Sequence, residues 1–274
     1  MTPALSRVTA RRYRAGAAPL DADDVVAVEE PLEIRIAGDT LAVTMRTPGH
    51  DQELAAGLLL AEGLIRSRSD LGRLAHCGRP GDEGWGNVID ALPAPGSGID
   101  LERMAFSRRG TLTTAACGVC GRRTIDDLLA RCPVLDDGPR FERGMLERLS
   151  SALFAEQPSF QKSGGLHAAG LCDAAGTFLV VREDVGRHNA VDKLLGRLLL
   201  DDALPKTSHV LVVSGRTSFE IVQKALVARV PVVLGVSAPS SLSIATAERA
   251  NLTLIGFARG DSFNVYSAPA RVLG

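Results

Sequence analysis

Residues 210–257 read VLVVSGRTSFEIVQKALVARVPVVLGVSAPSSLSIATAERANLTLIGF. Three short runs rich in Val, Leu and Ile, at 210–213, 232–236 and 252–257, alternate with helical patterns at 219–228 and 242–250. Strands that alternate with helices pair in parallel through right-handed crossovers and are buried on both faces. This stretch therefore predicts the centre of an α/β layer sandwich. Ligands of such sheets bind beyond the carboxyl ends of the strands.

Earlier patterns extend the predicted sheet. Residues 166–171 and 177–181 predict an antiparallel hairpin around the turn at 173–176, and residues 191–198 have apolar side chains at helical spacing. Residues 145–153 show a second amphipathic helical pattern. The expected sheet is therefore mixed, with helices packed on it.

The N-terminal half has a different pattern. Apolar and polar residues alternate at 32–36 and 41–45, which predicts a hairpin with a two-residue turn in which Gly38 takes the first central position. Residues 54–65 have helical spacing, and residues 78–98 are rich in Gly and Pro and predict an irregular surface segment.

These patterns divide the chain into four predicted parts. Residues 1–22 contain scattered arginines and predict a loose polar arm, and residues 23–106 predict a smaller α+β N-terminal subdomain. Residues 107–140 are polar and basic around a pair of cysteines and predict a mobile Cys-x-x-Cys loop followed by a helix. Residues 141–274 predict the larger, ligand-binding α/β domain.

The bulk composition limits the partners to be expected. The chain has 274 residues and a formal net charge of −1, so no global charge favours nucleic acid or an anionic membrane. No apolar run reaches the ~20 residues that a membrane span needs, and no apolar segment follows the N-terminal arginines. A cytoplasmic protein whose five cysteines are reduced thiols is therefore expected.

Hydroxyl and basic side chains follow the predicted strands, at the edge where ligands are expected. Ser214 and Arg216 follow the first parallel strand, Ser237 follows the second, and Arg259 follows the third. Free N–H groups at helix starts and arginine guanidinium groups both suit phosphate. The sequence therefore predicts a pocket for a phosphorylated or nucleotide-like ligand.

The turn after the predicted hairpin brings further groups to this edge. Arg187 adds positive charge. His167 and His188 are expected to shape the pocket through hydrogen bonds, with a metal site or acid–base chemistry as the alternatives. His188 and Asp192 have the i, i+4 spacing of metal ligands, but helix surfaces often offer this spacing, so no metal site is expected. Thr217 and Glu220 match a capping box, which predicts that a helix starts at Thr217.

A pair of cysteines precedes these patterns, in the run Cys117-Gly118-Val119-Cys120-Gly121. Four flanking arginines favour the thiolate, which is the reactive form of cysteine. They are Arg108, Arg109, Arg122 and Arg123. The pattern favours a reactive sulfur, although half of a structural zinc site or two buried small residues remain alternatives.

Several stretches, taken together, resemble one protein family. The most specific stretch, residues 182–193, reads REDVGRHNAVDK. The others are ACGVCG at 116–121, GGLHAA at 164–169, SGRTSFE at 214–220, SAPSSL at 237–242, and GF at 256–257 with FNVY at 263–266. From about residue 31 to the C-terminus, the chain resembles the formate dehydrogenase accessory proteins, the FdhD sulfur-carrier family.

The resemblance implies a sulfurtransferase. Such a protein takes sulfur as a persulfide from a cysteine desulfurase and passes it to the molybdenum (or tungsten) cofactor of formate dehydrogenase, a bis-molybdopterin guanine dinucleotide. By motif, the persulfide falls on Cys117, with Cys120 assisting. The resemblance also implies a homodimer and a cytidine-deaminase-like three-layer sandwich on a mixed sheet.

In this interpretation the molybdenum cofactor is a bound substrate, and the protein has no catalytic metal of its own. The family's cofactor-binding run falls on Phe257, Ala258, Arg259, Gly260, Asp261 and Ser262. The rim residues Ser214, Arg216, Ser237 and His188 complete the expected binding set.

Two alternative functions remain open. The chain is then either a cofactor-binding chaperone whose thiols are structural, or a dithiol redox protein. Zinc deaminase chemistry is not expected, because His188-Asn189-Ala190 lacks the H-x-E pattern and Ala116, not proline, precedes the Cys pair.

Overall fold

The computed structural model describes residues 3–79, 81–82, 85–97 and 132–274. The predicted Cys-x-x-Cys loop, with Cys117 and Cys120, lies outside these residues. The boundaries predicted for the mobile segment at 107–140 therefore remain predictions.

An antiparallel hairpin forms the N-terminal arm. Strand β1 (Leu5–Arg12) pairs along its whole length with strand β2 (Leu20–Ala27). The expectation of a loose arm over residues 1–22 was therefore wrong. The two strands satisfy each other's backbone hydrogen bonds and place Arg11 opposite Asp21. Both strands are largely exposed, so they lack the alternation of apolar residues that identifies a strand in sequence.

A four-stranded sheet follows, in the order β4-β3-β6-β5. Its strands are β3 (Glu30–Ile36), β4 (Asp39–Arg46), β5 (Leu71–His76) and β6 (Val88–Pro93). Strand β6 pairs in parallel with β3, so the prediction of an irregular segment at 78–98 was wrong for this part. Burial explains the strand, because Ile89 and Ala91 are fully buried.

The β3–β4 hairpin is confirmed, but its turn lies one residue earlier than expected. Ile36 pairs with Asp39, so Ala37 and Gly38 are the central residues, and their φ angles are +50° and +87°. Two positive φ angles are typical of a type I′ turn, in which glycine favours the second central position. The turn follows Ile36 because this side chain is fully buried in β3.

The larger sheet has six strands in the order β13-β12-β11-β10-β8-β9. Its strands are β8 (His167–Cys172), β9 (Phe178–Asp184), β10 (Val210–Val213), β11 (Val232–Gly235), β12 (Thr253–Arg259) and β13 (Ser262–Ser267). Strands β10, β11 and β12 are parallel, and the flanking pairs are antiparallel. The mixed sheet is thus confirmed; the sequence analysis did not predict β13.

Helices cover both faces of this sheet. The helices of the described residues are α1 (Asp51–Ala61), α2 (Arg143–Ala155), α3 (Pro158–Ser163), α4 (Arg187–Leu200), α5 (Phe219–Val227) and α6 (Ser241–Arg249). Leu211 and Val233 pack with α4 and α5, whereas Val210 and Val212 pack with α2 on the other face. The predicted α/β sandwich is therefore confirmed, with the four-stranded sheet and α1 as the smaller α+β part.

Helices α1 and α4 cross at very short distance. A Cβ atom built on Gly57 of α1 would lie 1.9 Å from the carbonyl oxygen of Asp192, and one built on Gly196 of α4 would lie 1.8 Å from that of Glu53. The crossing therefore requires glycine at both positions. It joins the two parts of the chain into one continuous cluster of buried side chains.

A short parallel pair of strands, β7 (Phe141–Glu142) and β14 (Val272–Leu273), brings the C-terminus beside the start of α2. Among the described residues, no helix is long and apolar enough to cross a membrane.

Candidate functional site

A pocket of about 620 Å³ lies at the carboxyl edge of the parallel strands. Residues at the ends of β10, β11 and β12 line one part of it, namely Ser214, Val236, Ala258 and Arg259. Helices α2 and α3 and the segment between α3 and β8 line the rest. The volume is typical of small-molecule sites, and the position agrees with the edge that the sequence analysis predicted.

Arg259 presents a guanidinium group at this pocket. Its Nε donates a hydrogen bond to the carbonyl oxygen of Val236 at 3.2 Å. Among the described residues no acceptor pairs with Nη1 or Nη2 of this exposed side chain. One bond therefore orients the guanidinium and leaves its outer nitrogens available for a bidentate anion.

A bulge in the edge hairpin presents Arg259. The register of β12 against β13 shifts between Gly256 and Arg259, and Phe257 has a φ of +54°. The bulge leaves Phe257 and Arg259 exposed on either side of Ala258, which is buried. Bulges of this kind commonly reorient side chains next to functional sites.

Ser214 and His167 add polar groups to the pocket. The hydroxyl oxygen of Ser214 accepts a hydrogen bond from the N–H of Ala168 at 2.9 Å, which leaves its own hydrogen for donation. Burial lowers the pKa of His167, and the positive charge of Arg187 lowers it further. His167 is therefore a neutral imidazole at neutral pH.

Positive charge accumulates beside this pocket. Burial lowers the pKa of Arg187, and the positive charge of nearby Arg216 lowers it further. Gly215 lies between these groups: a Cβ built on it would be 3.4 Å from Nδ1 of His167 and 3.5 Å from Cβ of Arg187. This cluster of cationic side chains favours an anionic ligand.

His188 is held by two hydrogen-bonding partners. Its Nδ1 lies 3.0 Å from Oε2 of Glu220, and its Nε2 lies 3.1 Å from the hydroxyl oxygen of Ser218. The carboxylate favours a proton on Nδ1, so the Ser218 hydroxyl donates to Nε2. His188 does not line the pocket but fixes the loop that carries Arg216.

The predicted helix start at Thr217 was one residue too early. Ser218 is the N-cap of α5, and the side chain of Glu220 bonds to His188 rather than closing a capping box. Thr217 is fully buried and bridges to Pro239 in an extended conformation, so it cannot begin the helix. In the next βα unit, Ser240 caps α6 by accepting a hydrogen bond from the N–H of Ser243 at 3.2 Å.

The other predicted binding residues lie around the pocket rather than in it. Arg216 is exposed, and the carbonyl of Ser237 accepts a hydrogen bond from the N–H of Phe257. Gly260, Asp261 and Ser262 are exposed at the turn from β12 to β13. Among residues 3–79, 81–82, 85–97 and 132–274, no group of three or more His, Cys, Asp or Glu residues could hold a metal ion.

The sequence matches the model of the FdhD/NarQ family over residues 27–273. The chain belongs to the FdhD/NarQ family. The resemblance inferred from the motifs is therefore confirmed.

Relatives within the FdhD/NarQ family match most of the chain. The sulfur carrier protein FdhD of Anaeromyxobacter sp. strain K is 50% identical over 255 residues, which cover 91% of this chain and 88% of the relative. The sulfur carrier protein FdhD of Nocardia farcinica is 46% identical over 274 residues, which cover 97% of this chain and 95% of the relative.

A solved structure shows the same fold. The crystal structure of a candidate formate dehydrogenase accessory protein from Desulfotalea psychrophila is similar with a TM-score of 0.76 and 24% identity. The match covers 99% of this chain and 100% of that chain. The similarity supports the arrangement of the N-terminal α+β part against the six-stranded sheet.

The run 182–193, which carries most of the resemblance to the FdhD/NarQ family, joins the two parts of the molecule. Asp184 is fully buried; its carboxylate accepts hydrogen bonds from the N–H of Thr47 at 3.1 Å and from Nδ2 of Asn189 at 3.0 Å. Lys193 lies 2.7 Å from the same carboxylate and donates to the carbonyl of Thr47 at 2.8 Å. These hydrogen bonds tie the run to the N-terminal part of the chain.

The sequence analysis missed the aromatic part of the pocket lining. Phe154 on α2 and Phe160 on α3 line the pocket, and their rings are in edge-to-face contact. The helical pattern identified only the buried stripe of α2, and Phe154 lies outside that stripe. The chain has only eight Phe residues among 274, so an aromatic side chain on the polar face of a helix is unusual in it. That unusual position was the signal in the sequence that could have identified Phe154.

Proposed function

We propose that this chain is a sulfur carrier that takes persulfide sulfur from a cysteine desulfurase and passes it to the molybdenum cofactor of formate dehydrogenase. Membership of the FdhD/NarQ family supports the sulfur-carrier role, because relatives at 46–50% identity carry that name. The cofactor substrate is a guanine dinucleotide, and the cationic pocket with Arg259 suits its phosphates.

The first step is a thiolate exchange at Cys117. Its thiolate attacks the outer sulfur of the desulfurase persulfide, an S–S bond forms on Cys117, and the desulfurase thiolate leaves. No net oxidation occurs. The arginines that flank Cys117 in the sequence favour the attacking thiolate.

Release of that sulfur requires two electrons, and Cys120 supplies a route. The Cys120 thiolate attacks the Cys117 sulfur, a disulfide forms between the two residues, and sulfide leaves for the metal. The pair is oxidised and the sulfane sulfur is reduced, so a cellular dithiol must then reduce the disulfide. In this scheme the protein acts as a sulfurtransferase.

Another thiol is unsuited to this role. Burial raises the pKa of the Cys172 thiol to about 12, and the negative charge of Asp173 adds to the effect. Cys172 is also fully buried in β8. It is therefore protonated and inaccessible at neutral pH.

The proposal of nucleotide binding rests on the position of Arg259 at the pocket. Calorimetry with GDP tests this proposal. We expect Arg259→Ala to weaken GDP binding by about tenfold or more, because a charge-assisted hydrogen bond contributes roughly 1.5–3 kcal/mol. Arg249→Ala removes an exposed arginine of α6 that does not line the pocket, and it should leave GDP affinity unchanged. Equal affinity of the wild type and Arg259→Ala would contradict the assignment.

Complementation separates the carrier from its alternatives. In a host that lacks its own carrier, Cys117→Ser should bind GDP normally and fail to restore formate dehydrogenase activity, whereas Cys77→Ser should restore it. Full activity of Cys117→Ser would favour a thiol-independent chaperone. A Cys117–Cys120 dithiol that reduces a partner, is itself oxidised to the disulfide and never holds extra sulfur would favour a redox protein.

We further propose that the chain acts in the cytoplasm as a homodimer. Light scattering of the purified chain tests the dimer, and a monomer at micromolar concentration would contradict it.

A further inference from the structure

The N-terminal hairpin forms a sheet of its own. Strands β1 and β2 pair with each other in a two-stranded sheet. The base of the hairpin contacts the body of the molecule, where Ala27 lies beside Gly165 and Ala4 lines a pocket with Ser159. A two-stranded hairpin is at best marginally stable in water unless it packs against another surface. Beyond its base, the arm therefore needs such a surface.

One face of the hairpin is apolar and points away from the body. Side chains alternate between the two faces of a strand, and Ala27 lies on the face that contacts the body. The opposite face is the outer face of the arm and consists of Ser6, Val8, Ala10 and Arg12 of β1 and Leu20, Ala22, Asp24 and Val26 of β2. Its large apolar side chains are exposed: Val8 by 39%, Leu20 by 50% and Val26 by 39%. Contiguous exposed apolar side chains mark interaction surfaces.

The two charged side chains of the outer face have opposite signs and lie apart. Arg12 pairs across the hairpin with Leu20 near the tip, and Asp24 pairs with Val8 nearer the base. Four residue positions along the strand separate them, which is about 14 Å at 3.4 Å per residue and too far for an ion pair within one chain. The Asp24 carboxylate accepts the N–H of Val25 at 2.8 Å, and in the described part of the chain no ion pair includes Asp24 or Arg12.

A second copy of this chain complements these charges. Arg12 and Asp24 lie at equal distances on either side of the central pair, Ala10 and Ala22. A two-fold axis that crosses the strands at this pair stacks two outer faces antiparallel and brings each Arg12 to the level of Asp24 of the partner subunit. Stacked sheets lie about 10 Å apart, a gap that an arginine and an aspartate side chain span together. A two-fold interface needs this placement, in which each contact occurs twice, whereas a different partner does not.

We propose that the outer face of the arm is an interface between two copies of this chain. The apolar side chains form its centre, and Arg12 pairs with Asp24 of the partner subunit at both ends. The inference rests on the homodimer of the proposed function and assigns that dimer its contact surface.

The apolar centre is tested by the dimer dissociation constant of the full-length chain, measured by sedimentation equilibrium. Leu20→Asp places a carboxylate opposite Asp24 of the partner subunit and should weaken the dimer by about tenfold or more, because a buried apolar contact becomes a like-charge contact. Leu179→Asp is the matched control, because it changes an exposed leucine of β9, outside the arm. It should leave the dissociation constant unchanged.

Charge exchange tests the antiparallel arrangement. Arg12→Asp and Asp24→Arg should each weaken the dimer by about tenfold, because two like-charge contacts replace two ion pairs. An equimolar mixture of the two variants should associate like the wild type, because each end of the mixed dimer again has one carboxylate and one guanidinium group. Recovery in the mixture excludes misfolding as the cause of the loss. Arg7→Asp lies on the other face of the hairpin and should have no effect.

The outcomes separate this interface from the rest of the proposed function. A wild-type dimer that Leu20→Asp and both charge reversals leave intact would overturn the arm interface, and the homodimer would stand. Weaker dimers of both charge variants without recovery in their mixture would also overturn the antiparallel pairing. Intact dimers combined with slower loading of sulfur on Cys117 by a desulfurase would assign the face to that enzyme instead. A monomeric wild type would overturn the homodimer and its interface, and the carrier role would stand if Cys117 still acquires sulfur.

Discussion

At the scale of single residues, Asp184 shows how the run 182–193 acts on the structure. Its carboxylate is fully buried and accepts hydrogen bonds from the N–H groups of Thr47 and Gly186, from the Asn189 amide and from the Lys193 ammonium. A buried charge is tolerated only when it is paired and hydrogen-bonded in this way.

Replacing Asp184 with asparagine should destabilise the fold strongly. Asp184→Asn leaves the buried Lys193 ammonium without its counter-charge, and we expect a loss of about 3–5 kcal/mol in the free energy of unfolding. Asp201→Asn is the matched control, because it breaks an exposed ion pair with Arg197 and should cost less than about 1 kcal/mol. Urea unfolding at pH 7 measures both, and equal losses would contradict this account of Asp184.

Sequence reasoning recognised the importance of this run but not its contacts. The partners of Asp184 include Thr47, which is 137 residues away in the chain. No local spacing encodes such a contact. By contrast, Arg259 could be placed at the ligand edge, because the end of a parallel strand has a fixed position in the fold.

At the scale of elements, the closest contact is between α1 and α4. Gly57 and Gly196 each face a carbonyl oxygen of the other helix, Asp192 and Glu53 respectively. Backbone atoms cannot move aside as a flexible side chain does. The crossing therefore depends on the absence of two Cβ atoms.

Gly57→Ala tests this crossing. Alanine favours a helix by about 1 kcal/mol over glycine, yet overpacking should dominate and lower the free energy of unfolding by about 1–3 kcal/mol or more. Gly144→Ala on α2 is the control, because the nearest atom to its Cβ is 3.7 Å away on a flexible Arg148 side chain. It should be neutral or slightly stabilising. A neutral Gly57→Ala in thermal unfolding would show that the helices are not in close contact.

The ion pair between α1 and β9 predicts a dependence on pH. Burial alone would raise the pKa of Glu53, but hydrogen bonds from Arg182 and His50 outweigh it and lower this pKa to about 2. A carboxylate with a depressed pKa stabilises the fold above its unfolded pKa, near 4.5, and this contribution is lost as the pH falls towards 2.

Glu53→Gln should therefore be destabilising at pH 6 and much less so at pH 3. Urea unfolding at the two pH values measures the difference in the free energy of unfolding between the wild type and the variant. A difference that stays constant or becomes larger at pH 3 would contradict the role of the Arg182–Glu53 pair.

The elements themselves were predictable to different degrees. The βαβαβ unit at 210–257 was predicted within two residues at each boundary, because short buried strands and amphipathic helices have distinct periods. The strands β1 and β2 of the arm were not predicted, because they are exposed and lack apolar alternation. Strand β6 was not predicted either, because it lies in a segment rich in Gly and Pro. The hairpin turn was displaced by one residue, since the burial of Ile36 decides where β3 ends.

At the scale of the whole molecule, the run 182–193 connects the N-terminal part to the ligand pocket. Arg182, Asp184 and Lys193 contact the N-terminal part, whereas Glu183 supports the aromatic lining and His188 fixes a loop beside the pocket. One stretch therefore supports both the assembly of the two parts and the site. Because most side chains of this run have a defined partner, the run tolerates few residue types, and this is a physical reason why it identifies the family.

The central claim is that Cys117 carries a transferable sulfur atom. The most direct measurement is peptide-mapped mass spectrometry after the chain is incubated with a cysteine desulfurase and cysteine. The account predicts the added mass of one sulfur atom on the peptide that contains Cys117, absent from Cys117→Ser and lost on addition of the molybdenum cofactor. An unmodified Cys117, or the same adduct in Cys117→Ser, would contradict it.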